Sequence, residues 1–213
     1  MKNQDQMKDK IIAFFDFRNG LPGRRQAIFF ICIAFAFKLF FFAAHLQSVT
    51  PKGALYELRG DALDYVNYAE NVYKTGEHFI GDGGQKLLST RMPGLEFVYL
   101  PLRVFFSQHN TLLLIIFIQL VLSALSTYYL ALLAYRLFKH IGYFYFTFIV
   151  FSISSYVAAY DGTFYTESLS TSLLIFSSYI LFTADKEKGL FRFFIAGLMM
   201  AMVIFFRPYM GLI

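Results

Sequence analysis

Two aspartates, Asp61 and Asp64, lie three residues apart in a long polar stretch between two strongly apolar runs of the sequence. Residues three apart on a helix share a face, so we expect both carboxylates to point the same way. A carboxylate in such a position can act as a general base or as a metal ligand. An aspartate at a helix start can instead cap free backbone N–H groups, which contributes about 0.5 to 2 kcal/mol of local stability. The spacing therefore leaves catalysis, metal binding and helix capping open.

Four other charged residues accompany these aspartates. Arg91 precedes a Pro-Gly turn, Asp161 and Glu167 flank a tyrosine-rich segment, and Arg207 ends the last apolar run. A charge placed centrally in a bilayer costs about 2.5 to 3.5 kcal/mol, so charges close to apolar segments usually have a partner or a role. The alternatives are that Glu167 is a solvated acid at a helix start and that Arg207 is a helix-end anchor.

The composition indicates that these groups lie at a membrane. Hydrophobic residues make up 57% of the 213-residue chain and charged residues 15%, which departs from the usual composition of soluble domains. The single cysteine, Cys32, has no partner for a disulfide within the chain. The net charge of +5 does not indicate nucleic-acid binding, because the basic residues lie in short segments beside apolar runs. We therefore expect an all-α integral membrane protein.

Apolar runs close to bilayer-crossing length recur along the chain. Roughly 20 helical residues cross a hydrocarbon core of about 30 Å. Five such runs cover about residues 27–46, 111–137, 141–158, 168–182 and 190–206. We predict about five transmembrane helices in a single domain over residues 1–213, with a long first extracytoplasmic loop at 47–110. Because the last apolar run ends without a polar tail, we expect the chain to be the N-terminal part of a larger membrane protein.

The basic residues predict the orientation of these helices. Lys and Arg gather on the cytoplasmic side of a membrane. With the N-terminus in the cytoplasm, the inner segments carry Arg24/Arg25, Arg136/Lys139 and Lys186/Lys188/Arg192. The outer segments then carry Asp61, Asp64, Arg91, Asp161, Glu167 and Arg207. All the candidate residues are therefore expected on the extracytoplasmic side.

The outer loop contains two local signals of structure. Residues 64–73 combine good helix formers with apolar and aromatic residues, which predicts a short amphipathic helix along the membrane surface that Asp61 would cap or open. The segment Gly81-Asp82-Gly83-Gly84 follows no recognisable strand, so it predicts a mobile turn rather than a phosphate-binding loop.

A series of short motifs runs in a fixed order along the chain. It comprises Asp61-x-x-x-Tyr65, Ala69-Glu70-Asn71-Val72, Gly76, Arg91-x-Pro93-Gly94, Tyr165-Thr166-Glu167-Ser168 and Arg207-Pro208. This series resembles the C-type (GT-C) membrane glycosyltransferases. Within them it is most similar to the group of protein O-mannosyltransferases, the aminoarabinose transferase of lipid A and the bacterial lipopolysaccharide-core transferases. Each motif is short, so their order and their common side of the membrane carry the resemblance.

The resemblance implies an enzyme of the bacterial inner (plasma) membrane. It would move a sugar, with inversion, from a polyprenyl-phosphate-linked donor to a lipid, glycan or protein acceptor at the extracytoplasmic face. By position, Asp61 would be the catalytic base and Asp64 the second acid. The implied substrate-binding residues are Tyr65, Arg91, Asp161, Glu167 and Arg207, and guanidinium groups suit phosphate. Several relatives have an acid where this chain has Ala62, so the use of a divalent metal stays undecided.

A second class of function is a non-catalytic transporter or flippase-type component that binds a polyprenyl-phosphate lipid through Arg91 and Arg207. A third possibility is that the chain is an inactive fragment of such an enzyme. Transporters keep their polar groups near the bilayer midplane. Lys38 is the one charged residue that the sequence places clearly inside a span, which favours surface chemistry over transport. Lys38 either pairs with an acid or a lipid phosphate, or it snorkels or faces the helix bundle.

Overall fold

The computed structural model describes residues 22–49, 56, 58, 60–77, 79–82, 85–88, 94–184 and 189–207. Its elements in chain order are α1 (Arg24–Val49), α2 (Asp61–Thr75), β1 (Phe79–Asp82), β2 (Gln85–Leu88), α3 (Gly94–Phe105), α4 (Gln108–Phe138), α5 (Ile141–Ser152), α6 (Ser155–Asp161), α7 (Thr166–Thr183) and α8 (Leu190–Phe206). The described part is therefore helical apart from one antiparallel hairpin, in which Phe79 pairs with Leu88 and Asp82 with Gln85. The predicted all-α class is thus confirmed for the described part, except for this hairpin, which the sequence analysis did not predict.

Two of the described helices, α1 and α4, are long and apolar enough to cross a membrane. Their 26 and 31 residues give lengths of about 39 and 46 Å at about 1.5 Å per residue. The pair α5 and α6 adds a third span if it is counted as one broken span, and α8 is apolar but has only 17 residues. The first two predicted spans thus correspond to helices that are long and apolar enough to cross a membrane, whereas the count of five stays a prediction.

The third apolar run is broken rather than continuous. Helices α5 and α6 meet at an angle of 56° around Ile153 and Ser154. The Ser154 hydroxyl accepts a hydrogen bond from the Val157 backbone N–H at 3.4 Å, as an N-cap residue does. This break directs α6, and with it Asp161, toward α1 and α7.

Helix α4 lies at the centre of the bundle, in contact with α1, α5 and α7. Phe30 of α1 packs edge-on against the rings of Phe144 and Phe148, with centroids 5.0 and 5.2 Å apart. Buried serines mark the close helix contacts: Ser172 donates to Ser126 at 3.4 Å, joining α7 to α4. Small polar side chains at such contacts let helices approach closely.

Helices α2 and α3 pack together over one end of this bundle. Ala62, Val66 and Ala69 form the buried face of α2, and they join Leu95 and Tyr99 of α3 in one apolar cluster. The predicted amphipathic helix at 64–73 is confirmed, but it begins at Asp61. The polar residues of the other face stay exposed, so α2 presents its first turn at the edge of the bundle.

The start of α3 lies directly against the end of α8. A Cβ atom added to Gly94 would come within 2.9 Å of Phe206 Cα and 3.0 Å of the Phe205 carbonyl oxygen. The rings of Phe97 and Phe205 are 5.0 Å apart in the same contact. The Phe206 ring is closer still, at 2.7 Å, but because the other two neighbours belong to the backbone and cannot turn aside, only glycine permits this approach. The contact holds the end of α8 beside the α2–α3 pair.

Candidate functional site

Asp61 is the first residue of α2 and its side chain is exposed. The preceding residue, Gly60, occupies the N-cap position with φ +53°, which a glycine adopts without strain. Asp61 therefore does not occupy the capping position that the sequence left open for it. A Cβ on Gly60 would lie 4.0 Å from the Tyr165 hydroxyl, so the start of α2 lies beside the turn that precedes α7.

An ion pair between Glu167 and Arg207 lies at this same end of the bundle. Glu167 is in the first turn of α7, and Arg207 directly follows α8. Their side chains are 31% and 20% exposed, so both groups remain accessible. The Arg207 guanidinium also interacts electrostatically with Tyr65 and Asp61 of α2. The structure thus brings together four residues that the sequence singled out, and we name this group the Asp61 site: Asp61, Tyr65, Glu167 and Arg207.

Tyrosines form a wall next to the Asp61 site. Tyr156 donates a hydrogen bond to the Tyr160 hydroxyl at 3.3 Å, and their ring centroids are 4.8 Å apart. The ring of Tyr165 follows at 5.8 Å from that of Tyr160. Gln119 of α4 fixes this turn by donating to the Tyr165 carbonyl oxygen at 2.9 Å. The sequence identified the segment as tyrosine-rich but assigned no function to Tyr156 or Tyr160.

Asp161 is placed differently from the other candidates. Its side chain is 1% exposed and lies 3.7 Å from the Nζ of Lys38, whose own side chain is 0% exposed. Ser168 donates a hydrogen bond to Asp161 Oδ1 at 2.6 Å, and Lys38 donates to the Phe151 carbonyl oxygen at 3.2 Å. Asp161 therefore lies inside the bundle and not in an exposed loop. Lys38 therefore faces the helix bundle and also pairs with an acid. The sequence analysis had given these as two separate alternatives.

A cavity of about 130 Å³ is lined both by Asp161 of this buried pair and by Glu167 of the Asp61 site. Its walls include Asp161, Glu167 and the hydroxyl-bearing residues Ser123, Ser126, Ser168, Thr171 and Ser172. Asp161 Oδ2 accepts no hydrogen bond from protein groups of the described residues. A few acceptors and hydroxyl groups therefore face a cavity whose other walls are apolar, Phe151 and Val157 among them, and such a space can hold several water molecules.

Glu70 anchors α2, and hence the Asp61 site, to α3. Its Oε1 accepts hydrogen bonds from the Tyr99 hydroxyl and from Arg103 Nε, the latter at 2.5 Å. Burial alone would raise the pKa of Glu70, but the hydrogen bonds from Arg103 and Tyr99, with the charges of Arg103 and Lys74, lower it below its usual value. Burial and the adjacent carboxylate raise the pKa of Tyr99. Glu70 is thus a charged residue that holds α2 to α3, a role that the sequence analysis did not assign to it.

The remaining candidates are less well placed by the structure. Asp64 lies with Asp61 in the first turn of α2. Arg91 lies outside the described residues. In the described ranges no three His, Cys, Asp or Glu side chains are grouped closely enough to hold a metal ion. Comparisons of the chain with protein-family models, with curated proteins and with solved structures found no match.

Proposed function

We propose that the chain is a membrane glycosyltransferase, or part of one, which transfers a sugar from a polyprenyl-phosphate donor to a lipid, glycan or protein acceptor. The observation that carries this proposal is the Asp61 site. Its members come from α2, from the first turn of α7 and from the end of α8, yet they meet at one end of an apolar helix bundle. A general base and a guanidinium at a membrane surface are what such a transfer requires.

In the proposed reaction, Asp61 removes the proton from the acceptor hydroxyl. The hydroxyl oxygen then attacks the anomeric carbon of the donor, the bond from that carbon to the phosphate oxygen breaks, and polyprenyl phosphate leaves. Attack opposite the leaving group inverts the anomeric centre. Asp61 is suited to this role because its side chain is exposed and because it is the first residue of α2.

Arg207 stabilises the charge that develops on the leaving phosphate. A guanidinium offers paired N–H donors that match phosphate oxygens, and such donors act most strongly where water is excluded. Glu167 acts as a positioning residue, because its ion pair holds Arg207, which also interacts electrostatically with Asp61 and Tyr65. The resemblance of the sequence adds Arg91 as a second phosphate ligand. The tyrosine wall offers flat apolar surfaces with hydroxyl groups, which suit a sugar ring.

The proposal includes the finer topology inferred from the sequence. It comprises about five spans, an N-terminus in the cytoplasm and an Asp61 site on the extracytoplasmic side of a bacterial inner membrane. In this arrangement the basic residues of the Arg136 and Arg192 segments lie inside, as the positive-inside rule requires.

The experiment is replacement of Asp61 by Asn in the chain inserted in membranes, with a labelled polyprenyl-phosphate sugar as donor. Loss of a general base costs about 10²- to 10⁴-fold in rate, so we expect transfer to fall by at least about 100-fold. The matched control is Glu77→Gln, which removes an exposed acid just beyond the same helix and should leave the rate unchanged. Transfer by Asp61→Asn at the wild-type rate would show that Asp61 is not the base.

A second candidate function, transport or flipping of a polyprenyl-phosphate lipid, is favoured by one observation. The sequence argument against transport was that Lys38 alone lies inside a span, but the structure buries Asp161 with it, and Asp161 lines a cavity. Buried charge pairs within membrane helices often mark transport pathways. Replacing both residues, as Lys38→Met with Asp161→Asn, separates the two functions. It would abolish movement of the lipid between leaflets in a transporter, whereas a transferase would keep sugar transfer that depends on Asp61.

A further inference from the structure

A second cavity lies at the other end of the bundle, between α4, α7 and α8. It measures about 550 Å³, and its polar lining consists of Arg136, Arg192, Tyr129, Tyr179 and Thr183. From Gln119, which contacts the turn of the Asp61 site, to Arg136 is a distance of about 26 Å along α4. This cavity is therefore separate from the Asp61 site, and none of the roles proposed above uses it.

The two arginines of this cavity have guanidinium N–H groups beyond those that bind other protein groups. The Arg136 guanidinium lies over the ring of Tyr179, 5.4 Å from its centroid, and its buried Nε has no hydrogen-bond partner. Arg192 donates one hydrogen bond, from Nη1 to the Thr183 carbonyl oxygen at 3.2 Å. In the part of the chain that the structure describes, neither guanidinium is paired with a carboxylate. Two positive charges and at least one buried donor thus face a common space that no carboxylate of the described residues occupies.

We propose that this cavity binds the phosphate group of an anionic molecule. Guanidinium groups present forked N–H donors that match the oxygens of a phosphate, and the Nε of Arg136 is a donor that such an oxygen would satisfy. A volume of about 550 Å³ falls within the range of about 300 to 1,000 Å³ that is typical of small-molecule sites. The phosphate comes either from a membrane lipid headgroup or from a soluble phosphate compound.

The walls of the cavity favour the lipid as the source. Phe176, Ile180 and Ile195 line it together with the polar groups, and they belong to α7 and α8. Exposed apolar side chains such as Phe191 and Phe194 continue this surface toward the outside of α8. A basic pocket between membrane helices with apolar sides is the arrangement that holds lipid headgroups with their acyl chains alongside.

The test measures lipid retained by the purified chain after reconstitution in equimolar phosphatidylcholine and phosphatidylglycerol, with native mass spectrometry as the readout. We expect phosphatidylglycerol to be retained preferentially. Each of Arg136→Gln and Arg192→Gln should weaken its retention about tenfold, which is typical of one lost charged hydrogen-bonding group. The control is Lys139→Gln, which removes a positive charge at the same end but outside the cavity and should have no effect.

A second arm distinguishes the sources of phosphate. Inorganic phosphate should compete with phosphatidylglycerol for the wild-type chain. If inorganic phosphate binds in an arginine-dependent manner while neither lipid is preferred, the ligand is a soluble phosphate compound and the site stands. Because Arg192 is exposed, Arg192→Gln tests the site even if Arg136→Gln fails to fold.

Three results would overturn the proposal. The first is equal retention of both lipids with no binding of inorganic phosphate. The second is unchanged retention in a folded Arg136→Gln and Arg192→Gln double variant. The third is an equal loss in Lys139→Gln, which would indicate a general effect of positive charge.

Discussion

Replacement of Glu70 by Gln should loosen α2 from α3 and so mobilise the helix that carries Asp61. The Glu70 side chain is 8% exposed and binds Arg103, which is 18% exposed, as well as the buried Tyr99 hydroxyl. Gln keeps the size of the side chain but removes its charge. The substitution therefore weakens two charge-assisted hydrogen bonds without creating a cavity.

The size of the effect follows from these exposures. A hydrogen bond to a charged group contributes about 1.5 to 3 kcal/mol, and breaking a fully buried ion pair costs about 3 to 5 kcal/mol. Since Arg103 can still reach water after the change, we expect a cost of about 2 to 3 kcal/mol. The matched comparison is Lys74→Gln, because Lys74 is 66% exposed at 3.5 Å from Glu70 Oε2. Such an exposed pair contributes about 0.3 to 0.5 kcal/mol.

Hydrogen exchange of the α2 and α3 amides, with the chain in lipid nanodiscs, measures this difference. A loss of about 2 to 3 kcal/mol corresponds to exchange that is about 30- to 150-fold faster, against about twofold for Lys74→Gln. An equal effect of the two substitutions would refute the reasoning, because it would show that Glu70 is no better paired than a surface acid.

The hydrogen bonds of Glu70 also predict that the stability of the α2–α3 contact depends on pH. The pKa of Glu70 lies below its usual value in the folded chain, whereas in the unfolded chain it is about 4.3. The stabilisation is therefore complete above about pH 4.3 and is lost as the pH falls through the lower, folded value. Protection of α2 in the wild type should decrease over this acidic range. In Glu70→Gln this contribution is absent, so its protection should change less with pH.

Two further predictions concern the bundle itself. Asp161→Asn should destabilise the bundle by about 3 to 5 kcal/mol, because it leaves Lys38 charged and buried without a partner. In a thermal melt, the double variant Asp161→Asn with Lys38→Met should recover much of this loss. Additive losses from the two substitutions would contradict the prediction. Gly94→Ala should cost about 1 to 3 kcal/mol because its methyl group meets the backbone at Phe206. The control is Gly197→Ala, because an added Cβ there meets no other atom within 4 Å. It should be neutral or stabilise α8 by up to about 1 kcal/mol. Similar melting temperatures for Gly94→Ala and Gly197→Ala would argue against the α3–α8 contact.

The helices were the most predictable part of this protein. The apolar runs at 27–46, 111–137 and 190–206 correspond closely to α1, α4 and α8. In lipid a backbone must satisfy its own hydrogen bonds, so a long apolar run forms a helix whatever its neighbours are. The amphipathic pattern at 64–73 was equally informative for α2, because its buried face repeats at the helical period.

Two features differ from the prediction, the break between α5 and α6 and the hairpin β1–β2. Each had a local sequence signal that the search for apolar runs did not detect. Ser154 in the third run is a suitable N-cap residue, and it marks the break between α5 and α6. In the sequence β1 and β2 are separated by Gly83 and Gly84, and Gly-Gly pairs are typical of hairpin turns. The interpretation of this segment as a turn without a preceding strand was wrong, because the strands are short.

The sequence by itself determined which residues enter a membrane-type helix and which polar residues stand at helix ends, since both depend on composition over one or two turns. Only the tertiary structure decided which charges meet. Lys38 pairs with Asp161 and Glu167 with Arg207 through the packing and rotation of helices far apart in the chain. Those pairings change Asp161 from an expected surface ligand into a buried partner, while they bring Arg207 to Asp61. Helix periodicity is local, but the energy of a charge depends on what surrounds it in space.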